Sequence, residues 1–493
     1  MQIYPNKGIV VVMNKFYLTT AIPYVNAAPH IGHALEFVQA DVVSRFHRQI
    51  GDETCLLTGS DENSLKNVLA AEKEGITTQE LCNNYTKKFQ SVLQKLNVKY
   101  DYYQRGSSRE THFTGSQKLW NLCFDNGDIY KKNYKGLYCV GCEAFYTQEE
   151  LTHDGECPEH LKKPELVEEE NYFFKLSKYQ NFLEDLISTD KLKIFPQSRK
   201  NEVLSFIRMG LNDFSVSRSK QRARNWGVPV PNDETQIIYV WFDALNIYQT
   251  GIGFGSNDNE YQKWWPADLH IIGKGITRFH AIYWPAILKS ADLALPKSIL
   301  VHGYLTVDGQ KISKTLGNVI DPNEIIDTYG VDPVRYYLLR EIPPFSDGDF
   351  SQNRFKELYN ADLANGLGNL VARVAKLAEK ISFKTGDNKQ EFYPETIKEL
   401  GEYRFDHALE FLWQKIKELD LQIEKTQPWK LENKALSEFI AKVVPAIQKI
   451  AFNLTPFLPE TAEKILSQYQ GKIISQPALF PRIASNISNA VTQ

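Results

Sequence analysis

Two histidines bracket a glycine in Pro29-His30-Ile31-Gly32-His33, between an apolar run and a stretch of helical periodicity. A helix N-terminus offers free N–H groups and the positive end of its dipole, so anions collect there, and an imidazole can hydrogen-bond a phosphate. Gly32 would let such a group come close to the backbone. Much later, Lys311-Ile312-Ser313-Lys314-Thr315 lies in a loop with Asp308-Gly309 before it and Gly317 after it. Two ammoniums with two interspersed hydroxyls suit the charge on a triphosphate undergoing displacement at its α-phosphorus. Each run alone is a common coincidence, a pair of histidines at a turn or a solvated loop. Their positions after sheet strands in the two halves of one chain make coincidence a poor account of both.

A third constellation is Cys139-x2-Cys142-x14-Cys157-x2-His160. Two short chelating pairs supply four ligands, the set that tetrahedral zinc takes. Four protein ligands leave no open position, so such a zinc is structural. His153 competes as fourth ligand at a less suitable spacing, and thiols beside a histidine with no metal are the plain alternative.

These residues need elements to hold them. Phe16-Tyr17-Leu18-Thr19-Thr20-Ala21-Ile22 reads as a buried strand ended by Pro23, and Leu35, Val38, Val42 and Phe46 predict a helix from about His33 to Gly51. Thr54–Thr58 is a second apolar strand, followed by a helix-like segment through Glu74. Strand, helix, strand at this spacing implies a parallel sheet. The signature returns with strands at Gln236–Trp241, Leu269–Gly273 and Ser298–His302 and a helix at Phe279–Ala291. One α/β sheet is therefore split, with residues 123–233 inserted between its halves. Past about residue 355, Leu358, Leu363, Leu367, Leu370, Val374 and Leu377, then Phe439, Val443, Ile447 and Ile450, keep helical spacing, which predicts an α-bundle.

Composition bounds the function. The chain has 493 residues, 42% hydrophobic and 24% charged, which excludes wholesale disorder and suggests two to four domains. Lys+Arg 57 against Asp+Glu 60 gives a net charge of −3, which excludes a histone-like polycation but not a local basic patch. Nothing approaches the ~20 apolar residues of a membrane span. The early run Gly8–Met13 is too short for a secretory signal, and the absence of Arg before Arg45 disfavours a transit peptide. Six sparse cysteines, three of them clustered, read as metal ligands in a reducing compartment. A soluble, cytoplasmic protein with no membrane partner is expected.

The histidine and lysine motifs resemble the HIGH and KMSKS signatures of class I aminoacyl-tRNA synthetases, with Ile312 for Met and Thr315 for the last Ser. Both replacements keep the lysines and the terminal hydroxyl. Ala21-Ile22-Pro23-Tyr24-Val25-Asn26 and Leu316-Gly317-Asn318-Val319-Ile320 resemble the methionyl-tRNA synthetase family in particular, and the match runs from Thr19 to at least Trp429. The resemblance implies a split Rossmann-type catalytic domain (residues 1–122 and 234–304), an inserted zinc-knuckle connective domain (123–233), a stem-contact region with the lysine loop (305–355) and an α-helical anticodon-binding domain (356–493). It implies methionine–tRNA ligase activity: ATP and L-methionine form methionyl-adenylate, and methionine then passes to tRNA(Met), initiator tRNA included. Mg²⁺ would accompany ATP, and one zinc would sit on Cys139, Cys142, Cys157 and His160.

Carried over residue by residue, the resemblance puts His30, His33, Lys311 and Lys314 on the transferring and leaving phosphates, with Gly32, Ser313 and Thr315 also binding ATP. Ile22, Tyr24, Trp241, Ala244, Leu245, Tyr248, Ile276, His280 and Trp284 would surround the methionine side chain, and Asp61 would hold its ammonium. An apolar, aromatic wall with a Tyr or His donor suits a thioether, although an aromatic cluster is ordinarily core. His280 and Trp284 are one helical turn apart and can share a face. Two departures stand out. The family usually follows that Asp with Glu-His-Gly, where this chain has Glu62-Asn63-Ser64, and usually reads Gly-Lys-Asp where this chain has Gly273-Lys274-Gly275. They keep open a catalytically altered, tRNA-binding paralogue as the alternative.

For RNA, Arg218, Lys220, Arg222 and Arg224 form an acid-free basic run that reads equally as a solvated loop or as an RNA contact. Asn369, Arg373 and Trp429 match the family residues that recognise the CAU anticodon, where an indole can stack on an unstacked base while Arg and Asn read edges. The chain ends soon after the bundle, so no appended dimerising module and a monomer are expected, and Met13 is an alternative start.

Overall fold

The computed structural model describes residues 2–3, 10–11, 14–139, 144–146, 148–159, 161–312, 317–386 and 389–483. The chain divides into two compact units. The first comprises residues up to Pro29, Ile50–Ser91 and Lys99–His302; the second comprises His30–Gln49, Val92–Val98 and everything from Gly303.

The first unit is built on a six-stranded sheet of β1 (Lys15–Thr20), β2 (Glu53–Ser60), β3 (Tyr102–Arg105), β4 (Lys193–Phe195), β5 (Leu269–Gly273) and β6 (Ser298–His302). Its order is β3-β2-β1-β5-β6-β4, and every pairing is parallel. A parallel strand covered on both faces reads as continuous apolar sequence, and Tyr17–Thr20 and Thr54–Ser60 are buried throughout. The strand order reverses between β1 and β5, so the carboxyl ends of β1, β2 and β5 border the crevice where open α/β sheets bind ligands. The edge strand β4 comes from the segment between residues 123 and 233, so that segment completes the sheet as well as interrupting it. The same segment carries an antiparallel four-stranded sheet in which Ile129–Cys139 pairs with Glu165–Phe174 over ten residues.

One expected strand stops early. Asp233–Ile238 is extended, yet it pairs antiparallel with Ser217–Ser219 and Pro229–Val230 in a separate three-stranded sheet and does not join the parallel one, and Val240–Ala244 is a short helix entered from Tyr239 in extended conformation. Apolar runs of this length fit either state, and Asp243, just beyond the expected strand, is anchored by buried side chains that hold the helical turn. The helix expected over 279–291 is present, opening with a π turn at Phe279–Tyr283 and continuing through Trp284–Ser290.

The second unit contains α1 (Ile31–Ile50), a small sheet of Leu305–Val307, Gln310–Lys311 and Gly348–Phe350, and then helices to Gln468. Leu35, Val38, Val42 and Phe46 of α1 are all buried, as their spacing requires. So are Asp41 and Arg335, which meet at 2.7 Å. Arg335 also donates to the carbonyls of Leu96, Pro456 and Phe457, and Asp41 accepts from Arg45 Nε at 2.6 Å. One guanidinium thus ties α1 and the helix Val331–Arg340 to the turn before Pro459–Gln468. Among the described residues no helix is long and apolar enough to cross a membrane.

Candidate active site

In the second unit, Ile31 opens α1 by donating its N–H to Ile320 O at 3.1 Å. This bond joins the histidine motif to the segment just after the lysine motif. Lys311 sits on the outgoing arm of a hairpin whose two-residue turn, Asp308-Gly309, has positive φ at both residues (48° and 75°), the turn for which Asp-Gly is suited. Asn318 Nδ2 donates to Lys311 O at 3.0 Å. Ser313, Lys314 and Thr315 lie outside the described residues.

The two imidazoles lie 4.0 Å apart, centroid to centroid. The Gly32 N–H donates to His30 Nδ1 and the His30 N–H donates to His33 Nδ1, both at 3.1 Å. With each Nδ1 accepting, each neutral ring carries its proton on Nε2 and offers it as a donor. Enclosure lowers His30 to a pKa of about 4, so it is neutral at pH 7. A side chain at Gly32 would meet the His30 ring at 2.9 Å.

In the first unit, the residues expected around an apolar amino acid gather at the carboxyl ends of β1, β2 and β5. Ile22 and Tyr24 follow β1, and Tyr24 forms a parallel bridge with Asp61, which follows β2 and is buried. The Asp61 N–H donates to Pro23 O at 2.9 Å. Tyr24 meets the edge of Trp241 at 6.4 Å, and Trp241 stacks on Phe279 at 3.8 Å. Ala244 belongs to the small core next to Trp241 and Tyr24, while Leu245, Tyr248 and Trp284 are buried in the main core with Ile22 and Ile276 packed against it.

The polar groups of this cluster largely satisfy one another. His280 Nδ1 lies 2.9 Å from Ile276 O, so it carries the proton, and Nε2 accepts from Tyr248 Oη at 2.7 Å. Burial lowers His280 to about 4 and His270, whose ring lies 4.5 Å from that of Tyr248, well below its ordinary value. The indole N–H groups of Trp241 and Trp284 find no partner among the described residues. His270 Nε2 is likewise without a partner among the described residues, and the otherwise apolar, aromatic lining suits a thioether better than a strongly polar side chain.

Sequence reasoning missed the network behind this cluster. Glu62 is fully buried and accepts from Ser60, Thr86, Ser107 and Arg105. Burial opposes its ionisation, but the Arg105 and Ser107 bonds prevail and its pKa is lowered. Asn63 reaches Gly106 O and Asp243, and Ser64 caps the helix α2 (Leu65–Glu74) by accepting from Lys66 N at 3.0 Å. In the segment that departs from the family pattern, Asn63 Nδ2 and the Ser64 hydroxyl are thus engaged, while Asn63 Oδ1 is buried without a partner among the described residues. Only the polar, fold-incompatible composition of buried positions could have signalled it. Gly275, the other departure, is exposed within a single turn of Lys274–Ile276.

The basic run divides. Arg218 is buried over the Tyr239 and Tyr138 rings, at 4.2 and 5.2 Å, and Arg222 lies over Tyr138 at 4.5 Å; Lys220 and Arg224 are exposed. In the helical part, Arg373 lies 5.7 Å from the Trp429 ring and donates to Glu424 at 2.6 Å. Asn369 is exposed one turn before Arg373, and Trp429 is 44% exposed. Of the four expected zinc ligands, Cys142 and His160 lie outside the described residues. Cys139 ends a strand that pairs back onto Ala144, and Cys157 is buried in a turn closed by the Leu161 N–H on its carbonyl. His153 is fully exposed.

An all-parallel sheet with this strand order, a paired-histidine helix start and a lysine hairpin define a class I tRNA synthetase, and the family model described as "tRNA synthetases class I (M)" matches residues 16–163 and 160–375. Methionine–tRNA ligase from Clostridium acetobutylicum is 43% identical over 475 residues, 92% of this chain and 73% of that protein. The Brucella suis enzyme is 41% identical over 472 residues, covering 92% and 91%. The solved structure of Mycobacterium tuberculosis methionyl-tRNA synthetase in complex with methionyl-adenylate matches with a TM-score of 0.88 at 36% identity, covering 95% of this chain and 100% of that one. The chain belongs to the methionine–tRNA ligase family.

Proposed function

We propose that this chain activates L-methionine with ATP and transfers it to tRNA(Met), initiator tRNA included. The methionine carboxylate attacks the α-phosphorus of Mg²⁺-bound ATP, the bond to the β-phosphate oxygen breaks, and pyrophosphate leaves. The 2′-hydroxyl of the terminal tRNA ribose then attacks the carbonyl of methionyl-adenylate and expels AMP. No enzyme nucleophile is needed. The Nε2–H groups of His30 and His33 and the ammoniums of Lys311 and Lys314 stabilise charge on the phosphates, with Gly32, Ser313 and Thr315 completing the ATP contacts. Asp61 holds the substrate ammonium. Ile22, Tyr24, Trp241, Ala244, Leu245, Tyr248, Ile276, His280 and Trp284 hold its side chain.

The observation that carries this reading is the aromatic cluster at the sheet's switch point, where the Tyr248–His280–Ile276 relay satisfies both nitrogens of the buried His280 ring. Asn369, Arg373 and Trp429 read the CAU anticodon, supported by the Arg373–Trp429 contact. Residues 123–233 act as the connective domain, 305–355 as the stem-contact region and 356–493 as the anticodon-binding domain. Cys139, Cys142, Cys157 and His160 would hold one zinc; two buried thiols, at Cys139 and Cys157, suit a structural ion, which would brace this lobe and take no part in the chemistry. The protein acts as a monomer in the cytoplasm.

Pyrophosphate exchange into ATP, with methionine, isoleucine, leucine, valine and cysteine offered separately, tests the reading. Exchange with methionine alone is expected. No exchange from folded protein that still binds tRNA would shift the assignment to a non-catalytic paralogue.

A further inference from the structure

The element that carries Trp241 and Ala244 is a five-residue helix, Val240–Ala244, too short to hold itself. What fixes it is Asp243, which is 1% exposed. One of its carboxylate oxygens faces His112 Nε2 at 2.5 Å and accepts from Ser116 Oγ at 3.0 Å; the other accepts from Asn63 Nδ2 at 2.7 Å. His112 is itself fully buried, with Nδ1 2.8 Å from Thr250 Oγ1. The carboxylate is therefore gripped from three directions, and only the Asn63 arm comes from the segment that bears Asp61. Asn63 also donates to Gly106 O at 2.8 Å, so its one amide nitrogen bridges the segment after β3 to the pocket wall. On the same side, Asp61 is pinned by its N–H to Pro23 O and by Asn67 Nδ2 on its own carbonyl at 2.9 Å.

We propose that Asn63 is a positioning residue for amino-acid selection: its carboxamide locks the segment bearing Asp61 to the helix bearing Trp241 and Ala244, and so sets the span between the ammonium site and the apolar wall. This rests on the reading of the cluster as the methionine pocket. Asn63 touches no reacting atom. Its effect falls on how well one side-chain length fits between two fixed walls, so the amino acid registers its loss and ATP does not. A cavity of about 30 Å³ borders Asn63, which leaves room for a somewhat larger side chain at this position.

Steady-state pyrophosphate exchange on the full chain, with methionine and ATP varied separately, tests this in Asn63→Ala and Asn63→His. Asn63→Ala strips the bridge and is expected to raise the methionine KM about tenfold, the usual scale for a lost bond to a charged buried acceptor, with the ATP KM within about twofold. Discrimination against leucine should fall in parallel, and Asn63→His should restore both to within about threefold. Should Asn63→Ala fail to fold, Asp243→Asn, which keeps the volume, is expected to give the same split. An unchanged methionine KM, or methionine and ATP KM values rising together, would overturn the proposal. Absence of methionine-dependent exchange in the unaltered protein would instead defeat the functional reading beneath it.

Discussion

Arg335→Met removes a guanidinium that is fully buried and bonded on several sides. It faces Asp41 at 2.7 Å and donates to three backbone carbonyls at 2.8–3.1 Å. Asp41 remains fully buried and keeps Arg45. Breaking a buried ion pair from one side costs about 3–5 kcal/mol, because the remaining charge stays desolvated. The carbonyl losses overlap with this figure and are not added. In a unit of roughly 200 residues, 1 kcal/mol moves the melting midpoint by about 2–4 °C, so 4 kcal/mol predicts a fall of about 8–16 °C. Calorimetry of the variant at pH 7.5 reads this directly. The double variant Asp41→Asn, Arg335→Met no longer buries the carboxylate and should recover a large part of the loss. A midpoint within about 2 °C of the unaltered protein would refute the reasoning. So would a double variant whose loss equals the sum of the two single losses.

Tyr248→Phe leaves His280 Nε2 buried without its 2.7 Å donor, so the methionine KM should rise about tenfold while the ATP KM holds, as read by pyrophosphate exchange. His30 and His280 both have pKa values lowered to about 4 by burial, so the folded state keeps them neutral while the unfolded chain protonates near 6.5. Their contribution to stability is thus complete above about pH 6.5 and is lost as pH falls toward 4. Nitrogen NMR of the imidazoles should show both rings neutral at pH 5.5, with the proton on Nε2 in His30 and on Nδ1 in His280; a charged ring at that pH would contradict the burial argument. Trp429→Ala should reduce charging of tRNA(Met) far more than adenylate formation, since the indole lies 44% exposed beside Arg373; equal losses would contradict the anticodon role. Elemental analysis of purified protein should find one zinc per chain and none in Cys157→Ser; fully folded protein without zinc would remove the metal.

The parallel strands were legible because burial on both faces writes continuous apolar runs, and α1 because its core face repeats at helical spacing. The edge strands β3 and β4 were not. Lys193–Phe195 is three residues long, and its partner β6 lies about a hundred residues away, so nothing local announces it. The same limit applies to the site. Short motifs exposed His30, His33 and Lys311, since a loop that binds phosphate concentrates its chemistry in a few consecutive residues. The buried polar groups behind the pocket come from segments far apart in sequence: Asn63, His112 and Asp243 meet only in the fold. The basic run shows the converse. Arg218 and Arg222 look solvated in sequence, but the rings of Tyr138 and Tyr239 take them in, and an aromatic face is invisible to a charge count.

The departures at Asn63 and Ser64 bear on whether this chain still does chemistry. A segment released from selection on catalysis has no physical reason to keep every buried polar group matched, because each mismatch is costed only through stability. Here Glu62 has four side-chain donors, Ser64 caps a helix, and both Asn63 protons are used, one on the helix that carries Trp241 and Ala244, which leaves Asn63 Oδ1 as the one polar side-chain atom of these three residues without a partner among the described residues. Gly275 differs in kind. It is exposed, has no side chain to contribute and leaves the neighbouring turn intact, with Thr277 Oγ1 donating to Lys274 O at 2.8 Å. A carboxylate introduced by Gly275→Asp would therefore act on bound substrate or solvent and not on the fold. If catalysis is intact, that variant should change the methionine or ATP KM with no change in melting midpoint, whereas a substituted Asn63 should change both.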